Sequence, residues 1–145
     1  MPPPGARPYQ PADRPDVLAL GVDARTIDAG NHRLYVSEAA GRPVAVVVAI
    51  HPDGDVAELG GVLPALSGSL GRFHDLLTAA VAGAIAEGYS EGEATVRDRT
   101  LVTVLEARYG RTAEPSAYSG PPRRPVEWTF IVDLQDLLDQ LQPGP

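Results

Sequence analysis

The chain contains no cysteine and no lysine, and these two absences exclude several kinds of chemistry. Without cysteine there is no thiol nucleophile, no disulfide and no thiolate metal site. Without lysine there is no Schiff base, and no lysine that closes a phosphate-binding loop. All twelve basic residues are arginine, a usage typical of a GC-rich bacterial genome because arginine codons are rich in G and C.

Long apolar runs and an excess of positive charge are lacking as well. No run approaches the ~20 apolar residues of a membrane span, and the N-terminal residues have no apolar core like that of a signal peptide. The net charge of −7 argues against nucleic acid and membrane as partners. We therefore expect a cytoplasmic protein, and 145 residues with 43% hydrophobic content predict one globular domain.

Proline is concentrated in two segments. Residues 1–16 hold six of the fifteen prolines, and because proline fixes φ and removes a backbone donor, we predict a disordered proline-rich tail there. Residues 17–142 form the predicted single domain, within which the Pro/Gly-rich segment 114–125 is predicted to be an exposed loop. Its Pro-x-x-Pro stretch with Arg123 and Arg124 suits either a solvated loop or docking to a partner.

The clearest periodic signal predicts a main helix over residues 69–88. Apolar residues recur there at steps of three and four, which places them on one helix face; they are Leu70, Phe73, Leu77, Val81 and Ala84. Ser67 or Ser69 is the expected N-terminal cap, and Gly88 the expected stop.

Alternating or β-branched segments predict strands at 32–38, 43–50, 100–108 and 126–132. The predicted fold is α+β: a mostly antiparallel sheet of about four strands, covered on one face by the 69–88 helix. A C-terminal amphipathic helix, capped by Asp133, is expected at an edge or end of the sheet. Segment 91–108 is ambiguous between helix and strand, and we favour a short helical turn followed by a strand because β-branched residues cluster there. Segment 56–66 is expected to be a short helix or an irregular crossover.

The start of the main helix is a candidate anion site formed by Ser67, Ser69, Arg72 and His74. A helix N-terminus gathers free backbone N–H groups, and an arginine adds a fork-shaped cation. Ordinary helix capping explains the same residues.

A second candidate, for a metal ion, consists of His51, Asp53 and Asp55 after the second strand. Imidazole and carboxylate side chains bind divalent ions. An Asp-Gly-Asp turn without metal is the alternative, and we predict no metal and no cofactor.

No motif in the sequence identifies an activity. The absence of a nucleophile motif and of metal-ligand spacing favours a non-catalytic binding or adaptor protein that acts through a protein partner or self-association. One alternative is a small-ligand-binding protein or small enzyme, with its pocket between the sheet and the 69–88 helix and the anion site at the mouth. Another is an acidic inhibitor or immunity-type protein for a basic partner.

Overall fold

The computed structural model describes residues 6–63 and 70–142. The strands in these ranges are β1 Ala6–Pro8, β2 His32–Ala39, β3 Arg42–Ile50, β4 Val56–Leu63, β5 Glu91–Val96, β6 Glu114–Ser119 and β7 Arg124–Asp133. The helices are α1 Arg14–Ala19, α2 Ala24–Asp28, α3 Leu70–Ala86, α4 Arg99–Tyr109 and α5 Leu134–Leu141, with a 3₁₀ turn at Pro11–Asp13.

The seven strands form one mixed sheet in the order β1-β2-β3-β4-β5-β7-β6. Strands β4 and β5 are parallel, and every other neighbouring pair is antiparallel. The α+β class is confirmed, whereas four strands is an undercount. The predicted strands at 32–38, 43–50 and 126–132 correspond to β2, β3 and β7.

Helices cover both faces of the sheet over β2 and β3. On one face α3 packs Leu76, Ala79 and Ala80 against the sheet residues Tyr35 and Val47. On the other face α1 and α2 cover a second cluster, in which Val17 and Val22 meet residues of β2 and β3. The prediction of a sheet covered on one face was therefore too simple, because the short helices α1 and α2 have no clear periodicity.

Helices α4 and α5 lie on the same face as α3. Val102 of α4 packs on Trp128 and Phe130 of β7. Helix α5 packs its buried leucines against α3 rather than at the edge or end of the sheet, where it was expected. Its cap is confirmed, since the Asp133 carboxylate accepts a hydrogen bond from Asp136 N at 2.9 Å.

The interpretation of segment 91–108 was wrong in order and type. Residues 91–96 form strand β5 and residues 99–109 form helix α4. Asp98 caps α4 by accepting from Thr100 N at 2.9 Å, and Gly110 ends it in the left-handed conformation at φ 64°. Capping and packing on Trp128 outweigh the modest strand preference of the β-branched residues.

Two proline-containing segments are also more regular than predicted. Within 1–16, the described part contains β1, which pairs with β2, while residues 1–5 lie outside the described residues. Arg7 anchors β1 by donating to Glu38 Oε1 at 2.8 Å and to both carboxylate oxygens of Asp13. Segment 114–125 contains β6, which pairs with β7 at the sheet edge, where proline is tolerated.

Segment 56–66 was expected to be a short helix or crossover, but its described part forms β4. Ala49 pairs with Leu59 and Val48 pairs with Gly61, so Gly60 is an extra residue in β4. Such a β-bulge bends its strand.

Within the described residues, no helix is long and apolar enough to cross a membrane.

Candidate functional site

Strands β4 and β5 part in the middle of the sheet. Their parallel pairing runs from Val56 with Glu91 to Leu59 with Ala94. Beyond that pair β4 continues to Leu63 and β5 to Val96, with no further pairing between these two strands in the described residues. The bulge at Gly60 coincides with the point of separation and bends β4 there. A gap flanked by unpaired backbone groups therefore opens in the sheet.

The floor of an apolar pocket lies beside this gap. The register aligns two rows of residues that face α3, because side chains alternate along a strand. The first row is Ala49, Leu59, Ala94 and Phe130, and the second is Ala57, Gly92 and Val132. All seven residues line the pocket, whose cavity volume is about 110 Å³.

Three helices form the roof of the pocket. Helix α3 contributes Phe73, Leu77, Ala80, Val81 and Ala84; α4 contributes Leu105 and Tyr109; and α5 contributes Leu134 and Leu137. Helix α5 approaches the floor closely because residue 92 is glycine. A Cβ at this position would lie 2.6 Å from Leu134 Cδ2, which shows how tightly α5 packs there.

Tyr109 is the buried polar side chain in the roof. The residue is 7% exposed, and its hydroxyl has no hydrogen-bond partner among the described residues. Burial raises the pKa of Tyr109, an effect that the nearby Arg108 guanidinium partly opposes. The hydroxyl therefore keeps its proton at neutral pH and can donate a hydrogen bond into the pocket.

Two carboxylates flank the gap on the opposite face of the sheet. Glu58 of β4 and Glu93 of β5 are neighbours in the parallel register, one position away from the residues of the pocket floor. Alternation places both side chains on the face that α3 does not cover. The gap thus lies between an apolar side and an acidic side.

Of the predicted anion-site residues, the two that the structure describes, Arg72 and His74, do not converge. Ser67 and Ser69 lie outside the described residues. Arg72 donates to Ser37 Oγ at 2.7 Å and to Glu38 O at 3.4 Å, next to the bulge in β2. His74 lies with its Nε2 3.1 Å from Leu141 O and its ring stacked 6.3 Å from that of Tyr109. The two described side chains are thus directed toward different elements.

The metal candidate is also dispersed. His51 is buried, with Nδ1 3.0 Å from Glu87 Oε2, whereas Asp53 and Asp55 are exposed in the turn. Two hydrogen bonds from Arg33 hold the pKa of Glu87 below its ordinary value. No group of three or more metal-binding side chains occurs in the described residues.

Sequence reasoning missed the gap, the paired glutamates and Tyr109. Gly60 and Gly61 are the available signal for the gap, because glycine inside a strand is typical of a bulge. Glu58 and Glu93 are 35 positions apart, and only the parallel register brings them together.

Comparison with known proteins identifies the fold. No protein-family model and no curated protein matches the sequence. A probable acetyltransferase from Staphylococcus epidermidis matches with a TM-score of 0.67 at 11% identity, covering 88% of this chain and 97% of that chain. The ribosomal-protein-S18-alanine N-acetyltransferase from Escherichia coli matches with a TM-score of 0.66 at 12% identity, covering 89% and 92%. A GNAT family acetyltransferase from Elizabethkingia anophelis with acetyl-CoA bound matches with a TM-score of 0.63 at 14% identity, covering 88% and 96%.

At these identities the matches show that the chain has the GNAT acetyltransferase fold. They also correct the functional prediction. A non-catalytic binding or adaptor protein was expected, but the similar structures are consistently acetyltransferases, some with acetyl-CoA bound. A non-catalytic adaptor is therefore not supported, and an acidic inhibitor fits these structures no better.

Proposed function

We propose that this protein is an acyltransferase that moves an acyl group from a coenzyme A thioester to an amine. The observation that carries the proposal is the parting of β4 and β5 beside an apolar pocket, within a fold that includes acetyltransferases with acetyl-CoA bound. Two further features of the described residues fit such a donor.

The first feature is the unpaired edge of β4 between Gly60 and Leu63. Its backbone groups can pair with the amides of an extended pantetheine arm, as a sheet edge pairs with an added strand. The second is the 17-residue helix α3, whose N-terminal end follows β4. The positive end of a helix favours phosphate groups.

A bound thioester supplies an acyl carbonyl that is activated toward attack by an amine. The chain's own contribution is to orient the reactants and to manage protons. The apolar pocket excludes water on the α3 side, and the Tyr109 hydroxyl holds a proton that it can donate there. Glu58 and Glu93 on the other side attract a cationic amine, and a carboxylate oxygen can accept its proton.

The test is a thiol-release assay with acetyl-CoA and a panel of primary amines. Because the chain has no cysteine, a thiol reagent detects only released coenzyme A. We expect thiol release that depends on both protein and amine, and acetyl-CoA binding in isothermal titration calorimetry. A folded protein that neither binds acetyl-CoA nor releases thiol with any amine contradicts the proposal.

Substitution of Glu58 and Glu93 tests whether the amine acceptor binds on their face of the sheet. We expect the double variant Glu58→Gln with Glu93→Gln to lower kcat/KM for a cationic amine by about 100-fold, the lower end of typical general-base effects. Glu114→Gln is the matched control, because Glu114 is exposed on β6, away from the gap. Equal effects of the double variant and the control rule out the acidic face as the acceptor side.

A further inference from the structure

We infer that the pocket accepts the chain of a medium-length aliphatic acyl group, longer than acetyl. The inference rests on the proposed function, because it identifies the acyl class of the same donor. The pocket floor begins at Leu59 and Ala94, the last paired residues before the strands part. A chain attached to a carbonyl in the gap therefore begins next to the residues that line the pocket.

The size of the pocket comes from small residues that face one another. Ala49, Ala57 and Ala94 on the floor oppose Ala80 and Ala84 on α3. Protein interiors keep few voids larger than a water molecule, and an empty apolar void is destabilising. The cavity volume of about 110 Å³ is several times the roughly 15 Å³ that one water molecule needs. A two-carbon acetyl group leaves most of this space empty, whereas a longer chain fills it.

The lining favours hydrocarbon over a polar acyl group. Both rows of the floor consist of apolar residues or glycine. Three charged residues also line the pocket. The side chains of Glu58 and Glu93 lie on the opposite face of the sheet, because side chains alternate along a strand. Arg111 donates a hydrogen bond to Gln140 Oε1 at 3.1 Å. An acyl group that ends in a carboxylate would bury a charge among alanine and leucine, at a high desolvation cost. The one buried polar atom described in the roof, the Tyr109 hydroxyl, is a single donor that suits a carbonyl oxygen.

The experiment compares coenzyme A thioesters with one acceptor amine. The panel is acetyl, butanoyl, hexanoyl, octanoyl and succinyl, measured by thiol release and by calorimetric binding. We expect kcat/KM to rise about fourfold for each added methylene until the pocket is full, in line with the free energy of burying a CH₂ group. Succinyl-CoA is expected to fall below butanoyl-CoA.

Pocket-filling variants locate the chain. Ala84→Leu adds three carbons at a buried position that lines the pocket. We expect it to lower kcat/KM for hexanoyl-CoA by roughly tenfold or more, a clearly larger factor than for acetyl-CoA. The control is Ala86→Leu, an exposed position on the same helix. Circular dichroism checks folding, and Ala80→Val gives the same comparison with a smaller change if Ala84→Leu does not fold.

Each outcome decides the inference. A preference for acetyl-CoA or succinyl-CoA overturns it and leaves the proposed function standing. An equal effect of Ala84→Leu on kcat/KM for all thioesters also overturns the inference and leaves the proposed function standing. If no thioester is bound or consumed, the proposed function fails and the inference fails with it.

Discussion

Two tyrosine hydroxyls differ in their hydrogen bonding, and removal of each hydroxyl is therefore predicted to change stability in opposite directions. The Tyr109 hydroxyl is buried without a partner among the described residues, whereas the Tyr89 hydroxyl donates to Pro52 O. A buried polar group without a partner is destabilising, and a satisfied one is mildly stabilising. We expect Tyr109→Phe to raise the free energy of unfolding by about 1 kcal/mol and Tyr89→Phe to lower it by about the same amount.

Urea denaturation of the two variants measures both effects. If Tyr109→Phe lowers the free energy of unfolding as much as Tyr89→Phe, the Tyr109 hydroxyl has a partner in solution. Under the proposed function the same Tyr109→Phe change lowers kcat. A residue that reduces stability and supports turnover is common in enzyme sites.

Asp13 predicts a pH dependence of stability. Hydrogen bonds from Arg7 hold the pKa of Asp13 below its ordinary value, and the carboxylate also accepts from Gln10 N. A lowered folded-state pKa contributes stability that is fully present above the unfolded pKa of about 4 and is lost as pH falls through the folded value. We expect Asp13→Asn to lower the free energy of unfolding by about 2 kcal/mol at pH 7. Below pH 4, the free energy of unfolding of this variant should decrease less steeply with pH than that of the unsubstituted protein.

Denaturation curves between pH 7 and pH 2 provide the measurement. Asp55→Asn serves as control, since Asp55 is exposed in a turn. Identical pH profiles for the two variants contradict a role for Asp13 in anchoring the N-terminal segment.

At the scale of elements, α4 depends on its cap. The helix is only 11 residues long and β-branched in part, so its intrinsic stability is low. The Asp98 carboxylate accepts from Thr100 N and Leu101 N. We expect Asp98→Ala to lower the free energy of unfolding by about 1 kcal/mol. Asp98→Ser should lower it much less, because serine is also a good N-terminal cap.

Thermal and urea denaturation distinguish these variants. Equal losses for alanine and serine indicate that Asp98 acts through its charge rather than as a cap. No loss for either variant indicates that packing on Trp128 is sufficient to form α4.

At the scale of the whole molecule, self-association stays a prediction. Ile131 of β7 is 66% exposed and lies in register with Glu93, on the face that α4 does not cover. An exposed branched apolar residue in a strand is a candidate contact between copies. We expect light scattering to give a mass above the chain mass of 15.3 kDa and Ile131→Glu to reduce it. Leu18→Glu, at a 40% exposed position on α1, is the control, and a constant mass of one chain at all concentrations contradicts self-association.

The parts of the fold that follow from local sequence were predictable. The spacing of Phe73, Leu77 and Ala84 indicated α3, and the alternation around Trp128 indicated β7. These signals are local because one buried face imposes the period of its own element. Segment 91–108 was mispredicted because its strand and helix preferences are nearly equal, so that contacts with Trp128, Phe130 and Ala113 decide the outcome.

The candidate site depended on tertiary structure for a different reason. Composition alone excluded thiol, Schiff-base and lysine chemistry, because a side chain that is absent cannot react. The pocket, in contrast, is the space between residues from four strands and three helices, and the pairing of Glu58 with Glu93 exists only in the parallel register of β4 and β5. Such juxtapositions join positions that are distant in the chain, so no periodicity or motif records them. Local sequence determined which helices and strands could form, and their packing decided where a substrate can bind.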